Sequence, residues 1–371
     1  MKREIFEMSG MHLDRSRFIN RGDAKWVHPL YREVYPAQGA TAGVDLYDSD
    51  VPKEAKMELR ERVFEQTKGL EDNVFASDEI VEAGEWLEFY QDGCVEEVDA
   101  PPVRIVVRTP KNREGKKLPV ILFACGGGLL YAYPEMNRGE ILELCYKFNA
   151  VIVAPQYRTC IDAPYPAAIN DMHASWNFIK EHAEELNADA DNIVLYGRSA
   201  GGQMVLGTAF RLNRYGEQPK GCVAFMPITD DRLLYPSSRI WISDSEWSSV
   251  AIQKSSVMWM GKFDAGSPWI GPEGFPNHAT VEECRGLCPI SITGLELDPD
   301  RDYNRELVGK LAEAGVFCNY HYWGGVSHMI ATYTDENSIQ HNRILWDARD
   351  VDIKEFLTYD LRRPWTKAEK D

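Results

Sequence analysis

Four short stretches carry side chains that could do chemistry together. Gly197-Arg198-Ser199-Ala200-Gly201 reads G-x-S-x-G, after the apolar run Ile193-Val194-Leu195-Tyr196 and ahead of a helix-like pattern. A tight strand-to-helix turn strains its central residue, needs small neighbours and leaves a serine hydroxyl protruding at a helix N-terminus, where free N–H groups favour negative charge. "FACGGGLLY" (123–131) follows another apolar run. Its three glycines let bare backbone N–H groups converge on one point, as an oxyanion formed in acyl transfer requires. A phosphate loop also uses glycines, but no Lys-Ser or Lys-Thr pair follows here, which speaks against a Walker-type loop. "LELDPDRDYN" (295–304) offers a carboxylate, among residues 298–302, that could orient an imidazole, and "WGGVSHMIA" (323–331) offers His328 in a loop.

These pieces work together only if the fold gathers them. From about residue 84 the chain alternates between strand and helix patterns. "EWLEFYQ" and "VRIVVRT" (103–109) alternate like antiparallel strands. "PVILFAC" (119–125), "AVIVAP" (150–155), "NIVLYG" (192–197), "CVAFMP" (222–227) and "PISITGLEL" (289–297) are short runs dominated by apolar residues, as strands buried on both faces of a parallel sheet are. "FCNYHYW" (317–323) is one more strand, in which His321 reads as a packing residue. Helical patterns fall near 136–148, 168–186, 201–214, 303–314 and 343–361. This alternation predicts an α/β fold with an open, doubly wound, mostly parallel sheet. The glycine loop, Ser199, the acid loop and His328 then each lie just past the carboxyl end of a strand, and in such a sheet those ends share one edge. Nucleophile, acid, histidine is also the chain order of α/β-hydrolases.

Two regions stand outside the alternation. Residues 1–83 read as an irregular N-terminal cap or appendage with one helix inside 53–69, whose Met57, Val63 and Phe64 share a face expected to pack on residues 84–371. Residues 231–285 form an insertion too long for an ordinary connection and rich in aromatics: Tyr235, Trp241, Trp247, Trp259 and Trp269. It reads as a lid or pocket wall, as a packed excursion with its own small core, or as both.

Composition narrows the class. The 371 residues are 44% hydrophobic and 27% charged, with a formal net charge of −17. That balance suits a globular protein and disfavours nucleic acid or anionic lipid as a partner. No apolar run reaches the ~18–20 residues that span a bilayer, and the sequence from Met1 to Glu7 lacks a signal peptide's apolar stretch, so a cytoplasmic protein is expected. The eight cysteines are scattered, as suits reduced, buried thiols. Cys284 and Cys288 have no second Cys/His pair to complete a zinc site, and the histidines other than His328 show no ligand spacing, so no metal or organic cofactor is implied. In the final helix, Trp346, Ile353 and Phe356 either pack on the sheet or join a homodimer.

In these motifs the sequence resembles the hormone-sensitive-lipase-like esterase branch of the α/β-hydrolases over about residues 100–335. "GRSAGG" is similar to the branch's G-D-S-A-G-G elbow, and "CGGG" stands where its H-G-G-G loop belongs. Residues 155–179 are similar to its Y-R-x-x-P-E-x-P-F-P-A-A-x-x-D segment, "LELDPDRDYN" to its D-P-L-R-D loop, and "GGVSHMI" to its histidine loop. The resemblance implies an α/β-hydrolase fold capped by the N-terminal segment and the insertion. It implies Ser199 as nucleophile, His328 as general base and acid, and Asp298 as the orienting acid, with Asp300 and Asp302 as alternates. By position, the oxyanion donors are the N–H groups of Gly127, Gly128 and Ala200, and the substrate neighbours are Leu129, Arg198, Trp241, Trp247 and Trp259. Two departures stand out: Cys125 replaces the histidine that braces the family's glycine loop, and Arg198 replaces the aspartate before the nucleophile, where it is expected to pair with an acid of the cap. The expected activity is serine carboxylesterase action on small, neutral, short-acyl esters. Amide, carbamate or lactone hydrolysis by the same triad is the alternative, and a non-catalytic small-molecule-binding protein on this scaffold is a second.

Overall fold

The apolar runs all become strands of one sheet in the computed structural model, which describes residues 51–68, 84–93, 96–97, 99–111, 115–240, 247, 249–261, 270–328 and 336–363. In chain order the strands are β1 (Trp86–Gln91), β2 (Val103–Arg108), β3 (Leu118–Ala124), β4 (Val151–Gln156), β5 (Ala188–Arg198), β6 (Gly221–Phe225), β7 (Ile290–Leu295) and β8 (Cys318–Trp323). They lie side by side as β1-β2-β4-β3-β5-β6-β7-β8. β1 pairs antiparallel with β2, and β2 antiparallel with β4; every later pairing is parallel. The helices are α1 (Lys53–Thr67), α2 (Arg138–Phe148), α3 (Ala167–Glu181), α4 (Ala200–Arg214), α5 (Pro236–Ile240), α6 (Ser249–Met260), α7 (Gly271–Gly274), α8 (Val281–Cys284), α9 (Arg301–Glu313) and α10 (Glu336–Thr358).

Every residue of β6 and β7 is buried, and β3 and β4 are buried except at one position each, because helices cover both faces of the sheet. That double cover is why these strands are dominated by apolar residues and do not alternate strictly. The edge strands β1 and β8 are half-buried and mixed in character. α4 packs along β5, β6 and β3, directly behind the G-x-S-x-G turn. α10 packs on β5 and β6 with Ile353 and Phe356 fully enclosed. The Phe356 ring fills the space over Gly221, where an added Cβ would come within 2.3 Å of it. Ile353 and Phe356 therefore pack within the chain, and Trp346 is nearly buried.

The structure corrects two side-chain expectations. α1 does not dock through Met57, which is exposed; its buried residues are Lys56 and Arg60. Arg60 pairs with Asp162 at 2.8 Å and donates to Thr159 at 3.1 Å, and Lys53 donates to the Asp162 carbonyl at 2.7 Å. Phe64 does help, stacking on Tyr133 with centroids 4.3 Å apart. Arg60 buries its aliphatic stem while its head reaches an acid of the body, and Lys56 is buried against Met258, so polar residues share the docking face with Phe64. His321 is not a packing residue: it is half-buried and meets Asp352 at 2.6 Å, an interaction that raises the imidazole's pKa. His278 meets Asp231 at 2.8 Å across a long stretch of chain, so it belongs to a cluster that sequence spacing could not reveal.

Candidate active site

The turn after β5 is built by close approach. Ser199 has φ 55° and ψ −123°, a strained conformation held by its N–H donating to the Phe225 carbonyl at 2.9 Å and its carbonyl accepting from Gln203 N–H at 3.1 Å. An added Cβ at Gly201 would stand 2.0 Å from the Ala124 carbonyl oxygen, and one at Gly197 would stand 2.3 Å from the Gly201 oxygen. Only hydrogen fits at either place, and the fit is what pushes β5 and α4 together around a half-buried hydroxyl.

The loops after β3, β7 and β8 converge on that turn. His328 Nε2 lies 2.8 Å from Ser199 Oγ, and Nδ1 lies 2.7 Å from Asp298 Oδ2. Asp298 Oδ1 accepts the Asp300 N–H at 3.0 Å, so both carboxylate oxygens are engaged. His328 and Asp298 are nearly fully buried. Asp302 instead pairs with Arg301 at 2.8 Å and accepts the Ser237 N–H at 2.9 Å. Asp300 is fully buried; its Oδ2 accepts from Trp247 Nε1 at 2.9 Å while Oδ1 has no hydrogen-bond partner. Burial, and then the neighbouring Asp298 carboxylate, hold the Asp300 carboxyl well above its usual pKa. Of the three aspartates, Asp298 is the one in contact with the imidazole.

The glycine loop lies against the same turn. Gly127 (φ 137°), Gly128 (φ 61°) and Leu129 (φ 64°) run consecutively through positive φ, and a Cβ at Gly126 would come within 2.9 Å of the Arg198 carbonyl oxygen. The loop is braced without a histidine at 125. Buried Tyr157 donates its hydroxyl to the Cys125 carbonyl at 2.6 Å, and Cys160 reaches the Leu129 carbonyl through both N–H and Sγ at 3.0 Å. Burial pushes the Cys160 thiol up to about 12. Nothing in the sequence gives Tyr157 and Cys160 this role, since their partners are backbone carbonyls some thirty residues earlier.

The expected substrate neighbours divide. Trp247 packs its ring on His328, centroids 5.6 Å apart, so one insertion residue reaches the site. Trp259 does not line an opening: it is fully enclosed, near Tyr165 with centroids 5.9 Å apart, filling the space where α6 meets the loop before α3. Leu129 buries its side chain. Arg198 pairs with Glu140 of α2 at 3.2 Å and donates to Asn137 at 2.9 Å, and neither belongs to the cap region. Trp241 lies outside the described residues.

Among the described residues, two clusters hold groups of the kind that bind metals, Asp298–Asp300–His328 and Asp230–Asp231–His278. In the first, the hydrogen bonds already given account for the proximity. In the second, Asp230 is engaged by Arg232 at 2.9 Å and Asn277 at 2.8 Å.

Residues 121–332 match the family described as the alpha/beta hydrolase fold. The chain belongs to that family. Among relatives of this alpha/beta hydrolase is Esterase LipI of Mycobacterium tuberculosis, 28% identical over 231 residues that cover 60% of this chain and 70% of that one. Another is an ethyl acetate hydrolase of Pseudomonas putida, 24% identical over 231 residues, covering 61% of this chain and 70% of that one. A solved structure titled Bacterial Heroin Esterase superposes with a TM-score of 0.75 at 24% identity, over 90% of this chain and 98% of that one, a likeness of fold. Among the described residues, no helix is long and apolar enough to cross a membrane.

Proposed function

We propose that this alpha/beta hydrolase is a serine carboxylesterase acting on small, neutral esters with a short acyl group. His328 Nε2 takes the Ser199 proton as Oγ attacks the ester carbonyl, and the C=O electron pair moves onto oxygen. Asp298 fixes the imidazole with its proton on Nδ1 and balances the imidazolium that forms. The oxyanion is held by the N–H groups of Gly127, Gly128 and Ala200; one such donor is typically worth about 3–4 kcal/mol of barrier. The tetrahedral intermediate collapses, the alcohol leaves with the proton from His328, and water then attacks the acyl-enzyme through the same base. All of these steps use the chain's own groups.

The observation that carries this reading is the imidazole of His328 standing 2.8 Å from a strained serine and 2.7 Å from a buried carboxylate. Relatives named as an esterase and as an ethyl acetate hydrolase support the ester and the short acyl group. Trp247 on the His328 ring supports the insertion as a wall of the pocket and, with α1, as part of a cap. The test is hydrolysis of p-nitrophenyl acetate by wild type and Ser199→Ala. Activity should disappear in the variant while its circular dichroism is unchanged; turnover near wild type removes Ser199 from the mechanism. Comparing kcat/KM across esters, lactones and aryl amides separates this reading from amide or lactone hydrolysis.

A further inference from the structure

The residue before the nucleophile is the end of a buried ion network that reaches the last helix. Arg198 Nε pairs with Glu140 Oε2 at 3.2 Å. The other oxygen of Glu140 accepts from Arg349 Nη1 at 2.6 Å and from the Tyr196 hydroxyl. Arg349, on α10, is fully buried; it also donates to Tyr196 at 3.3 Å and lies over that ring, 5.4 Å from its centroid. On its far side it meets Glu143 at 3.4 Å and Asp350 at 2.6 Å. Glu140, Glu143 and Tyr196 are all nearly fully buried. Burying so many ionised groups is costly and, as a source of stability, often no better than apolar packing. The network also ends at the two structures the chemistry needs. Tyr196 is in β5 shortly before Ser199. The backbone and stem of Arg198 pack on Gly126 of the glycine loop, and its guanidinium donates to Asn137, which itself donates to the Tyr133 carbonyl at 3.3 Å.

We propose that Arg198, Glu140 and Arg349 form a positioning unit that fixes the distance between Ser199 and the oxyanion-binding loop. Arg198 spans the gap: its stem supports the start of the loop and its head fastens the segment that follows. Glu140 holds the head in place, and Arg349 holds Glu140 from α10. In this role none of the three needs contact with the substrate. They act through the placement of Ser199 against Gly127 and Gly128, which governs the transition state more than initial binding. The inference rests on the proposed role of Ser199.

The test measures p-nitrophenyl acetate kinetics and the rate of fluorophosphonate labelling in the full chain, for wild type, Arg198→Met, Arg198→Lys, Glu140→Gln and Arg343→Met. Arg198→Met keeps the stem over Gly126 and loses the head. Arg343→Met cuts an ion pair on the outer side of the network, Arg343 to Glu143 at 2.8 Å, and is the control for lost ion pairing. Arg198→Met and Glu140→Gln should each lower kcat about 10–100-fold, with labelling slowed in parallel and KM within about twofold, the size expected for displacing a reacting group by under an ångström. Arg198→Lys should recover part of the loss, and Arg343→Met should match wild type. If Arg198→Met and Glu140→Gln keep wild-type kcat and labelling rates, or change only KM or melting temperature, the proposal is overturned. Should Arg198→Met fail to fold, Arg198→Lys and Glu140→Gln decide by the same split. Failure of the wild type itself to label at Ser199 overturns the nucleophile assignment instead, which keeps the two outcomes apart.

Discussion

Replacing Asp298 by asparagine keeps the shape of the site and reverses its logic. In the native site Asp298 Oδ2 accepts from His328 Nδ1 at 2.7 Å and Oδ1 accepts the Asp300 N–H at 3.0 Å. An asparagine has one oxygen for these two donors. If that oxygen faces the Asp300 N–H, the amide NH2 faces Nδ1, which must then be unprotonated. The imidazole proton moves to Nε2, 2.8 Å from Ser199 Oγ, where it blocks removal of the serine proton. If the oxygen faces Nδ1, two donors confront each other in a buried site, at a cost of about 1–3 kcal/mol for the unsatisfied group. The first orientation is therefore favoured, and it is the inactive one. An isosteric loss of this kind in a Ser-His-Asp system costs about 10⁴ in kcat, which is about 5.4 kcal/mol of barrier at about 1.36 kcal/mol per tenfold. We expect Asp298→Asn to lower kcat on p-nitrophenyl acetate by 3 to 4 orders of magnitude, roughly, with KM little changed. A variant within tenfold of wild type, folded by circular dichroism, would show that the carboxylate does not set the imidazole tautomer.

Three further changes follow from the same geometry. Asp300→Asn should leave kcat within a few fold, because Asn keeps an acceptor for Trp247, and it should raise stability at neutral pH. The unfolded chain gives up the Asp300 proton near pH 4, roughly, while the folded chain keeps it, so this group's contribution to stability falls as pH rises above that value until the buried carboxyl itself ionises; urea melts of both proteins should diverge between pH 4 and 7, approximately, and parallel curves would contradict this. Gly201→Ala should cost about 1–3 kcal/mol in urea unfolding and most of the activity, since the new Cβ would stand 2.0 Å from a backbone oxygen that side-chain repacking cannot move; a fully active, equally stable variant would refute the close approach. Tyr157→Phe leaves the buried Cys125 carbonyl without its 2.6 Å donor, and should lower kcat and destabilise the fold by about 1–3 kcal/mol, read from initial rates and chemical unfolding of the same preparation.

The sheet was legible because its inner parallel strands are dominated by apolar residues, with few polar ones to confuse the pattern, and the turn at Ser199 because its glycines leave so little choice of geometry. The order of Ser199, an acid and His328 along the chain brought the right three loops to one edge. The choice of Asp298 over Asp300 and Asp302 came from resemblance alone; in the structure it follows from where Asp302 finds Arg301 and where Asp300 finds Trp247. What the sequence hid was polar and long-range. The docking face of α1 includes buried Lys56 and Arg60 beside Phe64, so its apolar stripe marks only part of that face. Arg198 was matched to an acid of the cap, whereas Glu140 lies on α2 and is itself held by a residue far along the chain. Tyr157 and Cys160 brace a backbone, and backbone acceptors leave no mark in the identity of the residues that carry them. Trp259 is expected beside the substrate, whereas the structure encloses it fully, as the packed-excursion reading of the insertion allows.

The central claim is that the Ser199 hydroxyl is the attacking group. It is tested most directly by treating the full chain with a fluorophosphonate and mapping the adduct by tandem mass spectrometry. One label per chain on the peptide containing Ser199, absent from Ser199→Ala and slowed in His328→Ala, is the predicted result. No adduct, or an adduct on another residue while esterase activity is lost, would contradict it.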